Sequence, residues 1–172
     1  TTYAWDDMPE SLAEPNEAVG TLIYHCAVAI NAEFGSWFTT AERNNIIIAL
    51  WNYFDSVAGT GEVLVRNNYT GSEWEAMLKR ELAAGRPVYY EGSGQGVAHA
   101  AVCDGYQGDY FHFNWGWGGQ PDGYYLLTAL NPPPYDFSAS PYIIIGIQPN
   151  DGSVVAVDTR WSGPERHLTN DV

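Results

Sequence analysis

The stretch that decides the fold is Gly96-Val-Ala-His-Ala-Ala-Val-Cys-Asp-Gly-Tyr106, which continues as Tyr110-Phe-His-Phe-Asn-Trp-Gly-Trp-Gly-Gly119. We predict strands over residues 97–104 and 109–114, joined through a turn at 105–108 into a hairpin. The segment after Asn114 carries too many glycines for regular structure, because glycine readily adopts left-handed backbone angles. In this hairpin Asn114 would lie near the start of the first strand, so that His99 and the indole of Trp115 could meet.

The sequence outside this hairpin predicts helices first and strands afterwards. Apolar spacing predicts one helix over about residues 17–32. Thr39 and Thr40 offer N-caps for a second helix. Ser72 begins a third helix with a capping-box pattern, and Gly85 is the predicted glycine that follows the end of that helix. Further strands are predicted at 62–65, 87–91, 124–127, 142–147 and 154–158. We therefore expect an α+β fold in which helices are followed by an antiparallel sheet.

The composition excludes several classes of partner. The chain has 172 residues with 7 basic and 21 acidic side chains, which gives a formal net charge of −14. Nucleic acids and anionic membranes bind cationic surfaces, so neither is expected as a partner. Because hydrophobic residues reach 45% and aromatic residues 15%, the chain is not of a disordered type. No apolar run approaches the roughly 18 residues that a membrane span needs.

Cysteines and histidines are too few and too scattered for a metal site. Cys26 and Cys103 could form at most one disulfide. Cys26 falls in the apolar stripe of the first predicted helix and is interpreted as a core thiol. The four histidines, His25, His99, His112 and His167, lack zinc-ligand spacing to other ligand residues. We expect neither a metal nor a cofactor.

His99 is a candidate catalytic base because it begins a strand directly after a glycine loop. A half-buried strand histidine bonded to backbone is the alternative, just as Trp115 and Trp117 could simply be core aromatics that cap a turn. A histidine base that is oriented by an amide or an indole group suggests a catalytic triad whose nucleophile, a cysteine or serine, is not yet identified. Cys103 lies four strand residues away, roughly 13 Å, which is outside hydrogen-bond reach.

Several motifs together resemble the streptopain family of bacterial cysteine peptidases, over about residues 3 to 149. The resemblance rests on segment 96–106 and on Asn114-Trp-Gly-Trp-Gly-Gly119. It also includes Asp122-Gly-Tyr-Tyr-Leu-Leu127, Ala129-Leu-Asn-Pro132, Tyr3-Ala-Trp-Asp-Asp-Met8 and Leu22-Ile-Tyr-His-Cys26. We expect a peptidase portion over residues 1–149 and an unassigned extension over 150–172.

The resemblance implies a papain-like fold with a cysteine–histidine dyad that hydrolyses protein or peptide substrates. By motif position His99 would be the general base, Trp115 would shield the dyad, and Asn114 would lie beside it. Members of this family are secreted bacterial zymogens, so the resemblance also implies a secreted protein.

The chain departs from the family pattern at three places. The family's nucleophilic cysteine helix lies upstream of the Tyr-x-Trp motif, which begins here at Tyr3, so we expect that helix to be absent from this chain. Ala98 replaces the glycine before the family's histidine. Segment 34–40 is a shortened form of a loop that lines the family's substrate subsites, with Ser36 as its nearest remnant. Ala98 and Ser36 are the predicted substrate-binding residues.

Two hypotheses follow from these departures. The chain could be the histidine-bearing part of a peptidase whose cysteine lies on an N-terminal fragment or another chain. It could instead be a non-catalytic pseudo-peptidase or protein-binding module. Under both hypotheses the chain alone is predicted to be inactive.

Overall fold

A computed structural model describes residues 2–9, 12–57 and 59–150. The chain divides into two compact units, one up to Ser56 and the other from Val57 onward. The described part contains three α-helices and strands that pair antiparallel, as predicted for an α+β protein. No helix within the described residues is long and apolar enough to cross a membrane.

The first unit contains two helices and a short β-ribbon. After a 3-10 turn at Trp5–Asp7, helix α1 spans Glu17–Ala29 and is capped by Asn16. Strands β1 (Glu33–Phe34) and β2 (Thr39–Thr40) precede α2 (Arg43–Tyr53). The predicted caps at Thr39 and Thr40 are wrong, because these residues pair with β1 and the N-cap of α2 is Glu42.

Helix α1 leaves much of its apolar surface in contact with water. None of its side chains is fully buried, and Cys26 is only half-buried. The apolar stripe that contains Cys26 is therefore less buried than the sequence predicted. Ile23, Tyr24 and Val28 are 62%, 61% and 56% exposed. A helix with apolar residues on more than one face is typical of an element that packs against further polypeptide.

The second unit is a six-stranded antiparallel sheet with one helix, α3 (Gly71–Ala83). The strands are β3 (Glu62–Val65), β4 (Val88–Gly94), β5 (Val97–Gln107), β6 (Tyr110–Asn114), β7 (Gly123–Leu126) and β8 (Ala139–Ile145). Their order in the sheet is β3-β8-β4-β5-β6-β7.

The N-cap of helix α3 lies two residues before the predicted cap, at Thr70. The hydroxyl of Thr70 accepts from the Glu73 N–H, and the Glu73 carboxylate accepts from the Thr70 N–H. The capping box therefore belongs to Thr70 and not to Ser72. Gly85 follows the C-cap with φ of +73°, as the sequence predicted.

The central hairpin is longer than predicted. Strand β5 continues to Gln107 through an irregularity between Cys103 and Gly105, so that only Gly108 and Asp109 form the turn. Strand β4 likewise continues to Gly94, into the glycine-containing segment 92–96 that the sequence predicts as the loop before the strand of His99. In both places the glycines favour a turn, but hydrogen bonding to neighbouring strands keeps the backbone extended. The predicted strand at 154–158 lies outside the described residues.

The core of the second unit lies between α3 and the sheet. Its fully buried members are mostly large aromatic or branched side chains, and they include Trp74, Leu78, Leu82, Tyr90, Phe111, Phe113, Leu130 and Ile143. A buried ion pair joins Arg86 to Glu81, with Nε–Oε2 at 2.8 Å and Nη2–Oε1 at 3.0 Å. The N–H of Gly146 donates to the same carboxylate at 2.9 Å, which links the end of α3 to the end of β8.

Candidate active site

His99 is held by a backbone carbonyl group. It lies in β5 opposite Gly92 of β4, and its Nε2 lies 2.9 Å from the carbonyl oxygen of Trp115. A carbonyl oxygen only accepts, so Nε2 must carry the proton. In the neutral imidazole, Nδ1 then carries the lone pair. Within the part of the chain that the structure describes, no group forms a hydrogen bond to Nδ1, so this nitrogen is available as a base.

Aromatic rings enclose the imidazole. Ring centroids of Trp117, Phe137 and Trp115 lie 4.5, 5.5 and 6.2 Å from that of His99. Trp115 and Phe137 are almost fully buried, at 2% exposure each, while Trp117 is partly buried. This wall limits the access of water to the ring faces and restricts the ring's orientation.

The segment 114–119 fixes the carbonyl of Trp115. The Trp115 N–H donates to the Asp122 carboxylate at 2.8 Å, and the Gly116 N–H donates to Oδ1 of Asn114 at 2.9 Å. Gly116 has φ of +72°, a left-handed conformation that a side chain would oppose. These bonds direct the carbonyl toward the strand that carries His99.

The hairpin register corrects the predicted position of Asn114. Asn114 pairs with Val102 in the middle of β5 and not with the strand's start. Its amide oxygen caps the turn at Gly116, and no hydrogen bond joins it to His99 among the described residues. The predicted encounter of His99 with Trp115 is present, through both the ring contact and the main-chain bond.

The loop between β7 and β8 completes the aromatic wall. Cβ atoms built on Gly92 and Gly94 would overlap the carbonyl oxygens of Phe137 and Asp136. These glycines let the loop's main chain lie directly on β4, next to the position that pairs with His99. Sequence reasoning missed two residues of the site: nothing in the hydrophobic pattern indicates Phe137, and the motif that contains Asp122 does not by itself give that residue a role.

The two predicted substrate-binding residues lie in different units. Ala98 is an exposed residue next to His99 in β5, paired with Ser93 of β4. Ser36 lies in the exposed turn between β1 and β2 of the first unit. Of these two residues, only Ala98 belongs to the same unit as His99, where it is the preceding residue of β5.

Neither cysteine has the environment of a nucleophile. Burial raises the pKa of Cys103 well above its ordinary value, and the charge of Asp104 raises it further. Burial also raises the pKa of Cys26. Both are free thiols that stay protonated near neutral pH. No group of His, Cys, Asp or Glu side chains suited to a metal ion occurs among the described residues.

Comparison with known proteins decides the family. The family described as Peptidase C10 family matches residues 1–125. The chain belongs to the peptidase C10 family. The predicted resemblance to streptopain is thereby confirmed.

Named relatives of this C10 chain include proteases from two bacterial species. It is 34% identical to the thiol protease/hemagglutinin PrtT of Porphyromonas gingivalis, over 86% of this chain and 18% of the relative. It is also 34% identical to streptopain of Streptococcus pyogenes, over 67% of this chain and 29% of the relative. The C10 chain therefore spans less than a third of these curated relatives.

Solved structures support the fold. The active wild-type interpain A cysteine protease of Prevotella intermedia superposes with a TM-score of 0.76 at 34% identity, over 85% of this chain and 64% of that one. A prointerpain A fragment from the same organism gives 0.71, over 85% of this chain and 48% of that one. The predicted α+β, papain-like lobe is confirmed by these matches.

Proposed function

We propose that this chain is the histidine-bearing part of a C10 cysteine endopeptidase that hydrolyses peptide bonds in protein substrates. The observation that carries the proposal is the bond from Nε2 of His99 to the Trp115 carbonyl. It leaves Nδ1 as a single, oriented base inside an aromatic wall. A cysteine peptidase requires such a base beside its thiol.

The proposed reaction uses one imidazole twice. Nδ1 of His99 takes the proton of the nucleophile's thiol, and the thiolate attacks the substrate carbonyl carbon. The resulting imidazolium donates that proton to the leaving amine as the C–N bond breaks and a thioester remains. Water then gives a proton to His99 and attacks the thioester. As the C–S bond breaks, the carboxylic acid leaves and the imidazolium returns this proton to the thiolate, which restores the thiol and the neutral base. Throughout the cycle the Trp115 carbonyl stabilises the cationic form of the ring.

The nucleophile has to come from outside the described residues. Cys103 is fully buried in the same strand as His99, and Cys26 is a protonated thiol in the first unit. We therefore propose a partner segment, an N-terminal fragment or another chain, that carries a reactive cysteine. The exposed apolar side chains of α1 support this view, since such a face gains stability by packing against additional polypeptide.

The deciding experiment labels the natural protein with a peptide-based, thiol-reactive probe and locates the modified cysteine by mass spectrometry. We expect the label on a cysteine that is neither Cys26 nor Cys103. His99→Ala should abolish both labelling and casein hydrolysis. The control His25→Gln should retain both. The Tyr3 hydroxyl lies 3.2 Å from Nδ1 of His25, and a glutamine amide can either accept a hydrogen bond from this hydroxyl or donate one to it. Labelling that persists in His99→Ala would contradict the proposal.

A non-catalytic binding module is the second candidate. It is favoured by the absence of a reactive thiol near His99 within the described residues and by Ala98, which stands directly before the base where the family pattern has glycine. Under this hypothesis the natural protein contains no cysteine that reacts with the probe, yet it still binds peptides. Hydrolysis that is blocked by a cysteine-protease inhibitor would exclude it.

We also propose that the protein is secreted and produced as a zymogen. A pro-form is named for the relative prointerpain A, and the low charged fraction of 16% is compatible with an extracellular protein. Fractionation of a producing culture, with N-terminal sequencing of the extracellular form, tests both points. A single form retained inside the cell would contradict both.

A further inference from the structure

We propose that Asp104 is a positioning residue for His99. The hydrogen bond between Asp104 and His112 fixes the register of the β5–β6 hairpin, and this register turns the side chain of His99 toward Trp115. The inference rests on the proposed function, because it takes His99 as the base of the reaction. Asp104 acts on that base through the course of the β5 main chain.

The pair joins the two strands of the hairpin. Nδ1 of His112 in β6 lies 2.6 Å from Oδ1 of Asp104 in β5. Because a carboxylate oxygen only accepts, Nδ1 carries the proton and donates it. Asp104 is only 9% exposed, so its carboxylate needs a hydrogen-bond partner within the protein. The ring of Tyr124 packs edge-on against that of His112, with centroids 5.1 Å apart, and restricts its orientation.

Asp104 is the extra residue of a β-bulge. On one side of it Gly105 pairs with His112, and on the other side Cys103 pairs with Phe113. Two steps along β5 therefore correspond to one step along β6, and Asp104 falls between the two pairs. A bulge of this kind bends its strand and changes the direction in which nearby side chains point.

The bulge changes which side chains of β5 face the core. Between the turn and the bulge, the even-numbered Tyr106 belongs to the core. Beyond the bulge the odd-numbered Cys103 and Ala101 belong to it, and Val102 between them is 44% exposed. Successive side chains of a strand point to opposite faces. His99 therefore belongs to the inward-facing set only because the bulge has exchanged the two sets.

Without the bulge, the side chain of His99 would point away from the core. Regular pairing from the turn onward would place Asp104 opposite Phe113, and residues 102 and 100 would follow it inward. A change of register by one residue moves every side chain beyond it to the other face. A carboxylate that faces the apolar core would lose its hydration without gaining a partner. Asp104 thus disfavours the unbulged register, while its bond to His112 stabilises the bulged one.

The observed register brings the base to its acceptor. Val102 pairs with Asn114, so the next position along the hairpin sets Trp115 opposite Ala101. Ala101 lies two residues from His99 on the same face, and aromatic side chains on such a diagonal are within contact distance. The ring contact between His99 and Trp115 at 6.2 Å and the bond from Nε2 to the carbonyl oxygen at 2.9 Å depend on this arrangement.

The test exchanges Asp104 in the 172-residue chain and follows the hairpin by NMR. Leucine has nearly the shape of aspartate, but it forms no bond to His112 and can face the core. We expect Asp104→Leu to weaken the cross-strand NOEs between Cys103 and Phe113. It should also lower the ratio of the Nε2–H to the Nδ1–H tautomer of His99 by about tenfold, the factor that corresponds to one hydrogen bond. Asp104→Asn keeps an oxygen acceptor for His112 and should resemble the wild type in both measurements.

The matched control makes the same exchange in the turn of the same hairpin. The side chain of Asp109 is 79% exposed and lies 3.7 Å from the ammonium group of Lys79. Because Asp109 forms no part of the bulge, Asp109→Leu should leave the NOEs and the tautomer ratio of His99 unchanged.

A second variant keeps the test decisive if Asp104→Leu does not fold. His112→Phe removes the donor but keeps an aromatic ring beside Tyr124, and it should change the tautomer ratio of His99 in the same direction. Wild-type NOEs and ring ¹⁵N shifts in the folded variants would overturn the inference, as would a loss of stability with unchanged ring shifts. These measurements need no nucleophile, so the labelling experiment on the natural protein remains a separate test of the proposed function.

Discussion

The carboxylate of Asp122 accepts a hydrogen bond from the backbone N–H of Trp115 at 2.8 Å. Trp115 is the residue whose carbonyl oxygen receives the Nε2–H of His99. The two bonds lie on consecutive peptide groups, so the carboxylate positions the base through one residue of main chain. Asp122 is accordingly a positioning residue, because its carboxylate acts on the main chain of Trp115 and reaches the imidazole only through that residue.

Replacing Asp122 tests this coupling. Asp122→Ala leaves the Trp115 N–H without its acceptor and should lower the free energy of unfolding by about 1–3 kcal/mol. Asp122→Asn keeps an oxygen acceptor and should lose less. Urea unfolding gives the stability, and ring ¹⁵N shifts report the tautomer of His99. Wild-type ring shifts in Asp122→Ala would show that Asp122 does not position the histidine.

A methyl group at Gly92 should disturb the site from its other side. Because it would overlap the Phe137 carbonyl oxygen, Gly92→Ala should destabilise the protein by about 1–3 kcal/mol and shift the His99 signals. Gly20 in α1 is the matched control, since no atom lies within 4 Å of the point that a Cβ would occupy there. Gly20→Ala should be neutral or stabilise the helix by about 0.5–1 kcal/mol. A destabilised control together with a stable Gly92→Ala would refute the packing argument.

Thiol chemistry should distinguish this chain from one with an activated cysteine. Because burial raises the pKa of both Cys26 and Cys103, neither should be alkylated rapidly by iodoacetamide at pH 7. Cys26 is half-buried and should react faster as the pH rises, whereas Cys103 should react only on unfolding. Mass spectrometry after timed quenching measures both rates. Rapid stoichiometric labelling of Cys103 in the folded chain would contradict the buried position.

The Glu81–Arg86 pair predicts a loss of stability in acid. Burial by itself raises the pKa of Glu81, but the hydrogen bond from Arg86, the bond from the Gly146 N–H and the charges of Arg86 and Arg80 outweigh it. The pKa in the folded state is therefore below the ordinary value of 4.5. The carboxylate's contribution is complete above the unfolded-state pKa and disappears as the pH falls through the lower folded-state value.

Urea unfolding at pH 7 and at several values below pH 4.5 measures this dependence. Glu81→Gln leaves a buried guanidinium without its charge partner and should cost about 3–5 kcal/mol at pH 7, with a smaller difference from wild type in acid. Glu62 is exposed on β3, and Glu62→Gln should change little at any pH. A pH-independent difference between wild type and Glu81→Gln would rule out the assigned role. If Glu81→Gln does not fold, the wild-type transition compared with Glu62→Gln still tests the acid sensitivity.

Local patterns predicted the elements that depend on local forces. Helix α3 and strand β3 follow from apolar spacing and nearby capping residues, and the site hairpin follows from two strand-like runs. The pairing of Thr39 and Thr40 with β1 and the extension of β5 to Gln107 depend on neighbouring strands, which spacing alone does not reveal. At the site, the motif pointed to His99 and Trp115. The packing of Phe137 on Gly92 depends on contacts between residues far apart in sequence and left no local signal.

The acceptor for His99 belongs to the main chain, and this has a genetic consequence. Every amino acid supplies a carbonyl oxygen, so no codon change at position 115 can delete the acceptor itself. We therefore expect inactivating mutations in this segment to be those that turn the Trp115 carbonyl away from His99. Such mutations would replace Asp122 or Gly116, whose backbone is left-handed. Asn114, whose side chain touches the turn and not the base, should tolerate exchange better than a catalytic asparagine would.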